Sequence, residues 1–168
     1  MGQGRLSLNV RKKAYLQSEI EALPMPHFAS VVKTDWQIDP QELRHHANRI
    51  AEKATDNLQK NGIQDDPVSA NIVDHNGLRT LSPESQRLLL NNSISPIPLH
   101  KTLVLLDEIK SDSETRFRNH ELLALAKALV TTIGNLRFGP EVGLGMIKQD
   151  SPVIKPWRAN IETMAGDL

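Results

Sequence analysis

The chain has 168 residues, of which 39% are hydrophobic, 24% charged and only 4% aromatic, and 20 Lys and Arg balance 20 Asp and Glu. That composition suits a domain of ordinary size with an aliphatic core and argues against long disorder. The balanced charge lacks the positive excess of a typical nucleic-acid binder, and the absence of Cys excludes disulfides, cysteine nucleophiles and thiolate metal or iron–sulfur sites.

Residues 6 to 23 read as an amphipathic helix, closed by the Pro-Met-Pro run at 24 to 26, because Pro disfavours helix in the residue before it. Arg5, Arg11, Lys12 and Lys13 form the one local basic cluster, a solvated helix face or an arm for a polyanion. No apolar stretch of a secretory signal and no run of 18 apolar residues is present, so a cytoplasmic protein with no membrane span is expected. Val32, Thr34, Trp36 and Ile38 alternate, which predicts a strand over 29 to 38.

The strongest helical signal covers 40 to 61. Asp39 is a natural N-cap, Pro40 fits the first turn, and Glu42 stands three residues after the cap. Leu43, Ala47, Ile50, Ala54 and Leu58 form one apolar stripe, and Gly62 suits a left-handed terminator. Asn76-Gly77 predicts a tight hairpin turn near 69–81. A short helix is expected to begin at Ser82-Pro83 and to carry Leu88, Leu89 and Leu90, followed by an extended link through Pro96 and Pro98.

In the run from Leu103 to Ile109, four apolar residues lead into Asp107 and Glu108, the ending of a nucleotide-hydrolysis strand. A phosphate cradle needs a Gly-rich loop with Lys and Ser or Thr. The only Gly-rich segment, 139 to 145, lacks that pair and follows the carboxylates. The run therefore predicts a helix that buries Leu99, Leu103, Leu106 and Ile109 and ends in the acidic pair. A second long helix is expected over 114 to 133, with a stripe of Leu122, Leu123, Ala126, Leu129, Val130 and Ile133 and an end at Gly134. Beyond Phe138 the Gly- and Pro-rich chain reads as a loop and tail. Pro152 and Pro156 stiffen that tail, and Val153, Ile154, Trp157 and Arg158 are candidate partner anchors.

His120 begins a His-Glu-Leu-Leu-Ala run, but a zinc-protease helix needs His at both i and i+4, so a surface residue is expected. His45 and His46 point about 100° apart on a helix, which predicts two partly exposed side chains. One constellation goes further. Asp74-His75, then Asn91 or Asn92, then His100, within an expected strand, turn, strand and short helix, is similar in order to the HNH nucleases. That resemblance covers 75 to 100 and implies one divalent metal, with His75 activating water and Asn91 and His100 orienting and ligating. The tight turn at Asn76-Gly77 and the prolines at 96 and 98 depart from that family's pattern, and flanking basic charge is missing.

The sequence thus points to a mainly α fold (α+β). It is organised as an N-terminal helix and linker (1–26), a helical bundle-like core with a minor β-hairpin (27–137), and an extended C-terminal Gly/Pro-rich segment (138–168). No cofactor or metal is expected outside the nuclease resemblance. The leading function is a non-enzymatic protein–protein interaction, with a protein partner or self-association. The alternatives are a metal-dependent nuclease using His75 and a nucleic-acid-binding regulator using the basic N-terminal residues.

Overall fold

The computed structural model describes residues 24–67 and 77–168. Backbone contacts divide the chain into two units, Met1–Gln37 and Ile38–Leu168. Within the first, α1 spans Pro24–Lys33. The strand expected over 29 to 38 is therefore not formed. Pro24 and Pro26 fall in a first helical turn, where no intrahelical N–H is required and a fixed φ helps. Thr34 ends the helix, its Oγ1 donating to the carbonyls of Ser30 and Val31 at 3.0 and 3.2 Å. The helix expected over 6 to 23 lies outside the described residues.

The second unit opens with α2, Pro40–Lys60. Asp39 Oδ1 accepts the N–H groups of Gln41 and Glu42 at 2.8 and 2.9 Å, satisfying two donors that a helix start leaves free. At the other end Gly62 adopts φ +72°. Its N–H reaches Gln59 O and that of Ile63 reaches Leu58 O, the paired bonds of a Schellman terminus. All five residues of the predicted stripe are buried, and His46 and Ala51 join them.

The expected hairpin near 69–81 falls mostly on 68–76, outside the described residues. The short helix α3, Pro83–Arg87, starts on Ser82, whose Oγ accepts the Ser85 N–H at 3.2 Å. It stops before Leu88, so the three leucines are not carried on it and stand exposed. The link through Pro96 and Pro98 is not extended either: Pro96 opens α4, Pro96–Ser111. The fully buried side of α4 includes Ile97, Val104, Leu105 and Ile109. Leu99, Leu103 and Leu106 are only half-buried. Apolar residues surround this helix, so spacing alone does not select its inner face.

Asp112 breaks the chain, its Oδ1 accepting the Glu114 N–H at 3.0 Å. Helix α5 spans Arg118–Ala128 and continues as a π-helical turn, Leu129–Ile133. Gly134 closes that turn, with its N–H on Leu129 O at 2.9 Å. A Cβ at Gly134 would lie 2.8 Å from the same oxygen, so only glycine fits. Of the expected stripe Leu123 and Ile133 are buried, Leu122, Ala126 and Leu129 half-buried and Val130 exposed, and Ala124, Leu125 and Ala128 are buried beside them. The physical reason is two-sided packing, since α5 lies against both α4 and the C-terminal helix.

Leu136–Arg137 (β1) pairs antiparallel with Gly143–Leu144 (β2), with Leu136 opposite Leu144. Among the described residues strand structure is confined to this hairpin. Helix α6, Ile154–Asp167, replaces the expected extended tail. Pro156 falls in its first turn and costs no bond. The cap is supplied from 88 to 90 residues away in sequence, where Asp65 Oδ1 accepts the N–H of Val153 and Ile154 and Oδ2 that of Lys155. Helix α2 packs on α4 and α6, and Trp157 is fully buried within the shared core. The protein is mainly helical with a minor two-stranded sheet.

Candidate functional site

Three polar centres punctuate the second unit. The first joins α2, the turn after α4, and α5. His46, 1% exposed, offers Nδ1 to Glu121 Oε1 at 2.7 Å and Nε2 to Asp112 Oδ1 at 3.3 Å. Lys53 Nζ donates to Asp112 Oδ2 at 2.8 Å. The Phe117 ring lies tilted against the imidazole at 5.1 Å, and the Arg116 guanidinium sits over the Phe117 ring, 5.0 Å from its centroid. Glu121 is fully buried, and its Oε2 has no partner among the described residues. Burial pushes the Glu121 carboxyl up, opposed by His46. The Lys53 ammonium and the Glu114 N–H hold Asp112 well below the usual carboxylate range.

The second centre is built on Lys101, whose side chain is fully buried. Its Nζ donates to Asp150 Oδ1 at 2.7 Å and Asp65 O at 2.9 Å, with Ser151 O at 3.5 Å. The ammonium thereby fixes the two segments that flank the start of α6, and Asp65 takes part twice, by its carbonyl here and by its carboxylate at the helix cap. Beside it, His100 Nδ1 accepts the Arg79 N–H at 2.8 Å, which places the ring hydrogen on Nε2. Burial, then the charges of Arg79 and Lys101, pull the His100 pKa down.

The third centre is Asn135, buried between the π-turn and β1. Its side chain donates to Asn92 O at 3.0 Å and Ser95 Oγ at 3.1 Å and accepts the Lys148 N–H at 3.0 Å. Its backbone N–H reaches Ser93 O, and its carbonyl takes the Gly145 N–H, both at 2.7 Å. Two apolar segments leave this junction: Leu88, Leu89 and Leu90 on one side, and Phe138, Val142, Leu144, Met146 and Ile147 on the other. All eight side chains are exposed, Leu88 by 87% and Met146 by 86%.

Most of the sequence-predicted site residues do not converge. Val153, Ile154 and Trp157 are buried in the chain's own core, so they cannot serve as surface anchors, and only Arg158 of that set is exposed. Trp157 instead donates Nε1–H to Glu121 O at 2.9 Å. Of the nuclease-like set, Asn91 is exposed, whereas His100 is buried with Nδ1 engaged. His75 lies outside the described residues, as do Arg5, Arg11, Lys12 and Lys13. His46 and His120 are buried, contrary to the surface positions expected, while His45 is exposed. Among the described residues no group of three His, Asp or Glu is arranged to hold a metal, and no helix is long and apolar enough to cross a membrane.

His46, Glu121 and Lys101 were legible only by spacing. His46 stands three after Leu43 and four before Ile50, Glu121 four after Phe117 and four before Leu125, and Lys101 four after Ile97 and four before Leu105. A polar residue in phase with an apolar stripe is the signal, and a count of apolar letters passes over it.

No protein-family model matches this chain. Comparison with curated proteins and with solved structures gives no match either.

Proposed function

We propose that the chain is a non-enzymatic protein-interaction module, and that it binds a protein partner through the apolar side chains around the Asn135 junction. The observation that supports this reading is the exposure of eight large apolar residues on two segments fastened to one buried amide. A monomer seldom leaves large apolar groups clustered in water without use for them. Asn135 positions both segments through satisfied hydrogen bonds, which lowers the ordering cost of association.

The charge of these segments narrows the partner. Residues 84–92 and 127–148 carry Arg87, Lys127, Arg137 and Lys148 against Glu84 and Glu141. A partner with apolar anchors and an acidic rim complements that excess. Photo-crosslinking amino acids at Leu88 and Val142 should capture the same protein in the cells that make this chain. Arg87→Glu with Arg137→Glu should lower that capture severalfold without changing the helical circular dichroism. Capture at neither position above the level at Gln59, on the exposed side of α2, would exclude the reading. Capture of the chain itself would replace the acidic partner with a second copy.

A further inference from the structure

We infer that the buried His46–Glu121 pair keeps one proton at neutral pH, and that this proton latches the turn at Asp112 onto α2, which makes the turn a pH-sensitive element. The inference follows from a count of hydrogens. Two ring nitrogens face two carboxylates, Nδ1 to Glu121 at 2.7 Å and Nε2 to Asp112 at 3.3 Å. Each contact needs a hydrogen, because an imidazole lone pair and a carboxylate lone pair repel. A neutral imidazole supplies one. A second proton must therefore reside in the cluster.

Its place is fixed by the neighbours. Asp112 is held as an anion by Lys53 Nζ at 2.8 Å and by the Glu114 N–H at 3.0 Å. The proton therefore lies in the Nδ1–Oε1 contact, carried by His46 or by Glu121. Burial favours its place on Glu121, and the His46 charge opposes that. The other charged groups facing the pair are Arg49 and Lys53 on α2, Asp112 in the turn, and Arg118 at the start of α5, which donates to Lys110 O and Asp112 O. From α6 the pair meets Trp157, whose Nε1–H is on the Glu121 carbonyl.

Loss of this proton leaves two acceptors facing each other at 2.7 Å, in a place without solvent exposure. The one hydrogen left on the ring then goes to Nδ1, opposite Glu121 at the shorter contact, and Asp112 loses its contact with α2 through Nε2. The sign agrees with linkage. A carboxyl raised in the folded state contributes stability below its unfolded value, near pH 4, and that contribution is lost as pH rises through the folded value. The latch is thus closed below the folded-state value of the pair and opens as pH rises through it.

Glu121→Gln tests this directly. The amide donates an N–H to Nδ1 and the ring donates Nε2–H to Asp112, so both contacts keep a hydrogen without a titrating proton. Amide exchange of Glu114 and its neighbours in the turn, corrected for the intrinsic rate, should accelerate in the wild type by about tenfold for each pH unit between the open-state value, near pH 4, and the folded-state one, and level off above it, since over that range each opening releases one proton. In Glu121→Gln it should stay flat. Should that variant fail to fold, the ring nitrogen spectrum of the wild type decides the question. An exchange-protected, downfield proton on His46 Nδ1 or shared with it at pH 7, absent from His46→Gln, is the expected result. A bare Nδ1 with no shared proton, or an exchange profile unchanged by pH, would overturn the inference.

Discussion

The two charged clusters in the core solve the same problem in opposite ways. Lys101 and Asp150 bring equal and opposite charges, and the remaining donors of the ammonium meet two carbonyls, so that centre is balanced by fixed charges alone. The His46 centre has two carboxylates and, on its buried side, only an imidazole between them. Lys53 balances Asp112 from the half-exposed side, and a proton must balance Glu121. One centre is a fixed staple, and the other depends on the pH of the surroundings.

The largest expected effect breaks the staple. Lys101→Met fits the volume but leaves the Asp150 carboxylate with only the Ser151 N–H, and two carbonyls without the ammonium. Removing one partner of a buried pair costs about 3–5 kcal/mol, to be read as a fall in the urea midpoint. Adding Asp150→Asn removes the stranded charge and should return about 1–2 kcal/mol of that loss. A Lys101→Met midpoint equal to that of the wild type would show that the ammonium is dispensable and would erase the contrast.

A smaller effect is expected at the proton-dependent centre. Asp112→Asn weakens the acceptor facing both Lys53 and His46, and should cost about 1–3 kcal/mol at neutral pH. Its pH profile is more telling. The Asp112 carboxyl lies far below its ordinary value, chiefly through the Lys53 hydrogen bond. A depressed folded-state value contributes stability above the unfolded value, near pH 4, and that contribution is lost as pH falls toward the folded one. Between about pH 4 and pH 2 the wild type should therefore lose stability more steeply than Asp112→Asn. Parallel profiles would remove Asp112 from the latch.

The contrast also explains what could be read from the sequence. Helix α2 was legible because it is buried along one stripe, and Asp39 and Gly62 mark its ends within the local chain. Helices α4 and α5 pack on more than one neighbour, so apolar letters occur all round them and the buried residues extend beyond the chosen stripe. The C-terminal helix was missed because its cap, Asp65, is contributed from 88 residues away. Each buried charge lies in phase with aliphatic neighbours, yet its partner is set by tertiary packing. Spacing puts His46, Glu121 and Lys101 in phase with apolar residues but neither fixes which face is buried nor pairs them. The Asn135 junction depends likewise on segments some 40 residues apart meeting at one amide.

The smallest expected effect asks whether the staple and the cap of α6 are one unit. Asp65 joins them, since its carbonyl accepts from Lys101 and its carboxylate receives three N–H groups at 2.8, 3.0 and 3.0 Å. Asp65→Asn keeps the carbonyl and the oxygen facing Val153 and Ile154, but turns an amide N–H₂ toward the Lys155 N–H and removes a negative charge from a helix start. Caps of this kind contribute about 1 kcal/mol, and the charge a few tenths more. If the staple positions Asp65 for the cap, Asp65→Asn should cost clearly less in the Lys101→Met background than in the wild type, because the loop would already have moved. Additivity within about 0.3–0.5 kcal/mol would show two independent devices that merely share a residue. A coupling above that range would make Lys101 the residue through which a loop distant in sequence starts the last helix, and so the reason the C-terminal segment is helical and buried.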